Sequence, residues 1–285
     1  MKKKILLIAA LLALGTACTT TKSKVSEPTA KISIISNENN DIAKFANQSV
    51  LGTVWVRDSG EYRALTYQAY NSGKAYLKEI VKDPKNKGKK LAVVLDLDET
   101  VLDNSAFAAW QAVNYKLYSS KDWERWVNAK QATEVPGSID FIKTAEELGF
   151  EVFYVSNRNA SLAEPTIENL KKIGAPFADE EHVLGKTTTS NKAPRLKSIE
   201  DKGYTIVVLG GDNLDDFDSL VHHKLNVDRR THVEDMKDSY GTKFIVLPNP
   251  EYGGFDSGIV DGYYGLSTSE KMEARKEVIK PWDGK

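Results

Sequence analysis

The sequence predicts an α/β fold, in which a parallel β-sheet carries helices on both faces and a smaller, mainly helical cap region is inserted. Short apolar runs alternate with helix-length segments along the second half of the chain, which is the order that builds a parallel sheet. The first run, Leu91–Leu95, passes directly into the acidic stretch Asp96–Asp103. The next two apolar runs also end in polar residues. Because the carboxyl ends of parallel strands share one edge of the sheet, we expect these polar residues to converge there.

Residues before the fold predict export. The basic start Lys2–Lys4 and the apolar run Ile5–Leu14 are typical of a secretory signal peptide over residues 1–17, too short to span a bilayer. Cys18 then resembles the lipidated cysteine of a bacterial lipobox, although the leucine of that pattern lies one position further away than usual. An ordinary cleaved signal followed by an incidental cysteine is the alternative. Residues 18–41, rich in Ser, Thr, Asn and Lys, predict a flexible tether.

Composition bounds the class of protein. The 285 residues are 41% hydrophobic and 28% charged, as expected for a globular protein with a full core. The formal net charge of −1 provides no basic field, so a nucleic acid polymer is not an expected partner. The single cysteine excludes an intramolecular disulfide and a cysteine-based zinc site.

The elements are predicted in order as follows. Residues 42–90 form an N-terminal helical region whose aromatic residues pack into the core, and residues 91–285 form the catalytic core. Further strands are predicted at Phe150–Val155, Glu181–Leu184, Ile206–Leu209 and Phe244–Leu247. Helices are predicted at Ser138–Leu148, Ala163–Ile173 and from Pro194 to near Gly203, each stopped by a glycine or begun by a proline.

An aromatic-rich insertion at about residues 105–136 predicts the cap. It contains Phe107, Trp110, Tyr115, Tyr118, Trp123 and Trp126. These rings are expected either to pack a small core of a helical hairpin or to face a planar group of a substrate. Both roles are compatible, with different residues serving each.

The polar residues at the strand ends indicate phosphoryl-transfer chemistry. The converging set is Asp96, Asp98, Ser156, Asn157, Lys192, Asp212 and Asp216. Carboxylates suit a hard cation such as Mg²⁺, while a lysine neutralises phosphate oxygens and a carboxylate attacks phosphorus. No G-x-S-x-G elbow, P-loop lysine motif or H-E-x-x-H helix occurs in the chain.

These motifs resemble those of the haloacid-dehalogenase (HAD) superfamily. The four that carry the resemblance are Asp96-x-Asp98-x-Thr100 after an apolar strand, Ser156 after FYV, Lys192, and GDNLDDF at residues 211–217. Together with VSNRN, LPNPEYGG and the terminal WDGK, they are similar to class C acid phosphatases, and most to bacterial outer-membrane lipoproteins that act as 5′-nucleotidases. The resemblance runs from about Gln48 to Lys285 and implies a HAD-like core.

The resemblance implies a role for each catalytic residue. Asp96 is the expected nucleophile, which forms an aspartyl-phosphate, and Asp98 is the expected general acid and then general base. Ser156 is expected to donate a hydrogen bond to the phosphoryl group. Lys192 is expected to offset charge between Asp96 and the phosphate, with Lys186 as an alternative in the same loop.

The same resemblance implies an Mg²⁺ site. Asp96 and Asp212 are the expected carboxylate ligands, Asp98 contributes its backbone carbonyl, and Asp216 acts through the metal's waters or second shell.

The implied substrate is a phosphomonoester, with nucleoside 5′-monophosphates preferred in similar proteins. We expect Trp123 and Tyr252 to contact the base, with Phe255 and Phe107 behind them, and Asn157 to bind the substrate. The glycines that follow Tyr252 would let the backbone approach a ligand, or simply form a turn.

Other functions stay open from the sequence. A non-catalytic surface lipoprotein on the same fold, either haem-binding or adhesive, belongs to a different class. A phosphotransferase would use an alcohol in place of water. The expected location is the outer membrane of a bacterium, reached through the lipid anchor and facing either side, and a homodimer is compatible with the resemblance.

Overall fold

Five parallel strands form the central sheet of the computed structural model, which describes residues 41–285. The strands are β1 (Lys90–Leu95), β4 (Glu151–Asn159), β5 (Val183–Lys186), β6 (Tyr204–Gly211) and β7 (Phe244–Val246). Their order across the sheet is β5-β4-β1-β6-β7. The predicted parallel sheet is therefore confirmed, and β1 lies at its centre. The predicted signal peptide, Cys18 and the tether up to residue 40 lie outside the described residues.

Strand β1 is buried on both faces, which explains its continuous apolar sequence. Val93 and Leu95 belong to a core cluster that includes Tyr70 and Phe141, whereas Ala92 and Val94 belong to a second cluster on the opposite face. Because side chains alternate along a strand, one uninterrupted apolar run serves both layers.

Helices cover both faces of the sheet, as predicted. Their bounds are α1 Asp41–Asn47, α2 Val50–Asp58, α3 Gly60–Ile80, α4 Ser105–Val113, α5 Ser120–Ala129, α6 Ser138–Glu147, α7 Ala163–Lys172, α8 Ala193–Asp201, α9 Asn226–Asp235, α10 Gly254–Ser257 and α11 Thr268–Ile279. Helices α3, α6 and α7 contribute to the first cluster, and α8 packs against the second. No helix between residues 41 and 285 combines the length and apolar character that a bilayer crossing needs.

The N-terminal helices belong to the same compact unit as the sheet. Helix α3 packs closely on α6 because Gly73 lacks a side chain: a Cβ there would lie 2.7 Å from the Phe141 ring. The Tyr70 hydroxyl on the same helix donates a hydrogen bond of 2.5 Å to the Thr100 carbonyl. Helix α3 thereby contacts the loop that follows the central strand.

Helices α4 and α5 lie in the insertion that the sequence predicts as the cap, and the Phe107 ring of α4 contacts the Trp123 and Trp126 rings of α5. A two-stranded antiparallel ribbon lies at the base of this insertion, formed by β2 (Leu102–Asp103) and β3 (Thr133–Glu134). The Ser119 side chain caps α5 by accepting the Asp122 N–H. The ribbon, which the sequence did not predict, joins both ends of the insertion to the core.

Most of the predicted strands differ from the observed ones by one or more residues at an end, and two of these differences are explained by local contacts. Strand β4 continues through Asn159, which pairs with Lys186 of β5, so the polar residues that follow the predicted strand belong to the strand as well. Strand β5 begins at Val183 because the Asp179 side chain accepts the N–H groups of Glu181 and His182 and holds that segment in a turn.

Candidate active site

The central strand delivers Asp96 into a buried position at the sheet edge. The Asp96 N–H continues the sheet pairing by donating to the Gly210 carbonyl at 2.8 Å, and the residue is only 8% exposed. Burial raises the pKa of Asp96 to about 7; Lys192 opposes this rise, and neighbouring acids add to it. The carboxylate therefore needs positive charge beside it to be ionised.

Lys192 provides part of that charge. Its buried ammonium donates a hydrogen bond to Asp96 and pairs with Asp216 Oδ1 at 2.6 Å. Burial lowers the pKa of Lys192, but the Asp216 and Asp96 carboxylates more than offset this, so the pKa lies above its ordinary value. Lys186, the alternative, lies in β5. Within residues 41–285, no hydrogen bond or ion pair joins the Lys186 side chain to an aspartate.

The end of β6 contributes two more aspartates. One ligand oxygen each from Asp96, Asp212 and Asp216 lies within 4.8 Å of the others. A Cβ on Gly211 would lie 2.3 Å from the Asp216 carboxylate, so only glycine lets that side chain fold back to this position. Burial, together with Asp216 and Asp96, raises the pKa of Asp212 well above its usual range, although the Asn249 amide donates to it at 2.8 Å.

This donor set fits a divalent cation. Three carboxylates face one ammonium, which leaves an excess of negative charge in a buried space. Oxygen donors suit a hard cation. The residues that could hold such an ion are Asp96, Asp212 and Asp216. Within residues 41–285, the acidic group that could hold the ion does not include the Asp98 carboxylate.

Asp98, which is partly buried, instead pairs with the buried Arg158. Arg158 donates to Asp98 Oδ1 from Nη2 at 2.7 Å and from Nε at 2.9 Å. The Asn104 amide donates to the same oxygen at 2.9 Å, and the Ser156 hydroxyl lies 3.5 Å from Oδ2. Asp96 and Asp98 therefore have different cationic partners, although they are two residues apart.

Ser156 lies within β4 and does not cap a helix. Its hydroxyl accepts the Arg158 N–H at 3.1 Å. Arg195 donates to the Ser156 carbonyl and to Asn157 Oδ1, the latter at 2.8 Å, and also contacts the carbonyl of Ser190 in the loop before Lys192. Arg195 thus joins the end of β4 to the loop that carries Lys192.

Arg158 and Arg195 are absent from the predicted site. For Arg158 a signal existed: side chains at positions two apart share a face of a strand, so Arg158 follows Ser156. For Arg195 the local sequence carries no signal, because its contacts depend on how α8 packs against the sheet.

The cap aromatics pack mainly against one another. Phe107 is buried and contacts the rings of Trp110, Trp123 and Trp126, so it is not open to a substrate. This differs from its predicted contact with a substrate, because Phe107 is enclosed by the three tryptophan rings. Trp123 is half-buried, and its ring lies 5.5 Å from the Arg158 guanidinium.

Tyr252 and Phe255 are both exposed, with 47% and 49% of their surface accessible. Tyr252 and Asn157 line a cleft of about 1130 Å³, and Tyr252, Phe255 and Asp212 line an adjoining cavity of about 410 Å³. Trp123 lines neither of these two cavities. The structure therefore brings Tyr252 together with Asn157 and Phe255, but not with Trp123.

The Tyr252 hydroxyl donates a hydrogen bond to Glu99. Burial and the neighbouring acids Asp98 and Asp212 raise the pKa of Glu99 well above its usual range. Glu99 also accepts the Asn104 N–H at 3.1 Å. The loop that carries Asp96 and Asp98 thus contacts the exposed aromatic directly.

Comparisons with known proteins agree with this geometry. The family model of the HAD superfamily, subfamily IIIB (acid phosphatase), matches residues 3–255. Acid phosphatase 1 of Solanum lycopersicum is 27% identical over 166 residues, which are 56% of this chain and 57% of that protein. Vegetative storage protein 1 of Arabidopsis thaliana is 28% identical over 166 residues, 56% of this chain and 54% of that protein. The chain spans little more than half the length of these two curated relatives.

Solved structures extend the likeness to most of the chain. The class C acid phosphatase of Bacillus anthracis superposes with a TM-score of 0.79 at 38% identity, covering 84% of this chain and 100% of that chain. The structure of the Bacillus anthracis enzyme with tungstate bound gives the same values.

Proposed function

Because the chain belongs to subfamily IIIB of the HAD superfamily, the acid phosphatases, we propose that it hydrolyses phosphomonoesters through an aspartyl-phosphate on Asp96. Membership confirms the family that the motifs indicated. The observation that supports the mechanism best is the buried contact of Asp96 with Lys192, at the sheet edge where Asp98 and Ser156 also lie.

The proposed reaction has two steps. A carboxylate oxygen of Asp96 attacks phosphorus, and the bond to the leaving oxygen breaks while Asp98 gives that oxygen a proton. Asp98 then takes a proton from a water that attacks the aspartyl-phosphate, which releases phosphate, frees the Asp96 carboxylate and returns Asp98 to its protonated form. Ser156 donates to the phosphoryl group, and Lys192 offsets the charge that accumulates between Asp96 and the phosphate.

We also propose Mg²⁺ as the cation of the acidic cluster. Asp96, Asp212 and Asp216 would hold it, together with the backbone carbonyl of Asp98. When bound, the ion supplies positive charge that neutralises phosphate oxygens and the carboxylates themselves.

The proposed substrates are nucleoside 5′-monophosphates. Tyr252 presents an exposed ring beside the cleft, next to Asp212 and Phe255, where a base could stack. Tungstate, which the Bacillus anthracis enzyme binds, is a tetrahedral oxyanion with the shape of phosphate. A reaction in which an alcohol replaces water as the acceptor would use the same intermediate.

Export and lipid anchoring at Cys18 are proposed from the sequence alone, with the bacterial outer membrane as the location. Expression with a labelled fatty acid tests the anchor: label on the wild-type chain and none on Cys18→Ser supports lipidation, whereas label on neither contradicts it.

A panel of phosphomonoesters tests the catalytic function. We expect nucleoside 5′-monophosphates to have higher kcat/KM than nucleoside 3′-monophosphates and sugar phosphates, and Asp96→Asn to be inactive on all of them while its circular dichroism spectrum is unchanged. Full activity of Asp96→Asn would contradict the mechanism. Equal kcat/KM across the panel would contradict the nucleotide preference alone.

A further inference from the structure

Arg158 is a buried cation whose contacts converge on Asp98. The residue is 4% exposed, and all three guanidinium nitrogens have partners. Nε and Nη2 donate to Asp98, Nη2 also lies 3.4 Å from Asn104 Oδ1, and Nη1 donates to Thr166 at 3.2 Å. A planar guanidinium held at all three nitrogens is fixed in orientation, and a carboxylate paired with two of them is fixed with it.

The two oxygens of Asp98 are not equally occupied. Oδ1 accepts from Arg158 twice, at 2.7 and 2.9 Å, and from Asn104 at 2.9 Å. Oδ2 has only a long contact of 3.3 Å with Arg158 Nε and one of 3.5 Å with the Ser156 hydroxyl. Oδ2 is therefore the oxygen with capacity for another partner, and it lies on the side of Ser156.

We propose that Arg158 is a positioning residue that holds Oδ1 of Asp98, so that Oδ2 is the atom that exchanges the proton in catalysis. The inference rests on the proposed role of Asp98. Protonated Oδ2 gives its proton to the leaving oxygen as the phosphorus–oxygen bond breaks, and it takes a proton back from water as that water attacks the aspartyl-phosphate. Arg158 itself transfers nothing.

The cap holds this arrangement from the other side. The Trp123 ring lies 5.5 Å from the Arg158 guanidinium, and the Trp126 indole donates to Asn104 Oδ1 at 2.8 Å. Both tryptophans lie on α5, so this one cap helix contacts both groups that donate to Asp98 Oδ1. The half-buried Trp123 thus helps to orient Asp98 through Arg158.

Leaving-group dependence tests this role. The constant kcat/KM reports on the steps up to departure of the leaving alcohol. Only a strongly basic leaving oxygen needs the proton that Asp98 donates. We expect Arg158→Met to lose at least about tenfold more kcat/KM on a nucleoside 5′-monophosphate or glycerol phosphate than on dinitrophenyl phosphate, whose leaving group departs unprotonated. Arg158→Lys keeps the positive charge but not the paired N–H donors of the guanidinium. We expect this variant to show the same difference in kcat/KM loss between the two esters, but a smaller one.

A matched control is available in the cap. The Arg125 guanidinium also lies over a tryptophan ring, that of Trp110 at 5.3 Å, but it is exposed, pairs with Asp122, and does not pair with Asp98. Arg125→Met is expected to leave kcat/KM unchanged on both classes of ester.

Asp98→Asn separates failure of this inference from failure of the proposed function. Strong leaving-group dependence in Asp98→Asn, together with equal losses on both ester classes in Arg158→Met, would reduce Arg158 to a structural residue and overturn the inference. If Asp98→Asn lost kcat/KM equally on both ester classes, the proposed role of Asp98 as the general acid would instead be refuted. Should Arg158→Met fail to fold, Arg158→Lys carries the same comparison, and equal losses in that variant overturn the inference.

Discussion

The Lys192 ammonium donates a buried hydrogen bond to the Asp96 carboxylate, and the same ammonium pairs with Asp216. The lysine at the start of α8 thus bridges the acid that follows β1 and an acid that follows β6. Asp212, which shares this space, has a pKa raised well above its usual range by burial and by its acidic neighbours. One lysine does not neutralise the group, and this imbalance underlies the first two predictions.

Replacing Lys192 by Met should abolish most activity and destabilise the metal-free protein. The substitution leaves the buried Asp96 and Asp216 carboxylates and the half-buried Asp212 carboxylate without a cation. Breaking a buried pair in this way costs about 3–5 kcal/mol. Urea unfolding in the presence of a chelator measures the free energy change, and steady-state kinetics should show a fall in kcat of about a hundredfold or more. Lys186→Met is the control, since Lys186 lies in the nearby strand β5. Loss of activity in Lys186→Met with retention in Lys192→Met would reverse the assignment.

Removal of divalent cations should inactivate the enzyme, and Mg²⁺ should restore it. The cluster of Asp96, Asp212 and Asp216 carries the excess negative charge that such an ion offsets. Thermal unfolding gives a readout independent of catalysis: Mg²⁺ should raise the Tm of the wild type and have little effect on Asp212→Asn. Unchanged activity after exhaustive chelation would exclude the metal role.

Ionisation of the Glu251 carboxyl group should lower the free energy of unfolding as pH rises. Burial raises the pKa of Glu251 from 4.5 to about 7, so the folded state binds its proton more tightly than the unfolded state. The resulting stabilisation is fully present below about pH 4.5 and is lost as pH rises through about 7, by about 1.4 kcal/mol per unit at most.

The neutral variant Glu251→Gln isolates this contribution. Measured by urea unfolding, it should be more stable than the wild type at about pH 8, by up to about 3 kcal/mol, and nearly equal to it at about pH 4. Glu277→Gln, on the exposed side of α11, should follow the wild type at both pH values. A Glu251→Gln protein that is less stable at about pH 8 would show that the ionised carboxylate is stabilised by partners in the fold.

Tyr252→Phe should weaken nucleotide binding without stopping catalysis. The substitution keeps the ring but removes its hydrogen bond to Glu99, so the ring is no longer held against the catalytic loop. We expect KM for a nucleoside 5′-monophosphate to rise severalfold in Tyr252→Phe and by about tenfold or more in Tyr252→Ala. KM for glycerol phosphate should be unchanged in both variants. Tyr264→Ala, an exposed tyrosine of the same cleft, is the control. Equal KM changes for both substrates would argue against base stacking on Tyr252.

The sheet could be predicted because its central strand is buried on both faces. The side chains of Ala92–Leu95 alternate between two core clusters, so each of these residues must be apolar. Such an uninterrupted apolar run is typical of a strand that is buried on both faces. The end of β4 could not be predicted in the same way. Residues 156–159 are all polar, so their composition is typical of a loop, although they belong to strand β4.

The acids of the site could be predicted because topology alone brings them together. Asp96 and Asp212 each follow a strand, and these strands are neighbours in the sheet. The aromatic contacts depend instead on how the cap packs on the core. Trp123 and Tyr252 were predicted to act on one substrate, yet Trp123 lies against Arg158 and Tyr252 against Glu99. No local pattern encodes that difference, because it arises from side-chain packing between distant segments.

The covalent intermediate tests the central claim most directly. Wild-type enzyme mixed with a nucleoside 5′-monophosphate is quenched in acid within milliseconds, and the peptide containing Asp96 is weighed by mass spectrometry. The proposed mechanism predicts a peptide heavier by one phosphoryl group, with the modification on Asp96, sensitive to hydroxylamine and absent from Asp96→Asn. A phosphoryl group on another residue, or turnover by Asp96→Asn at the wild-type rate, would contradict it.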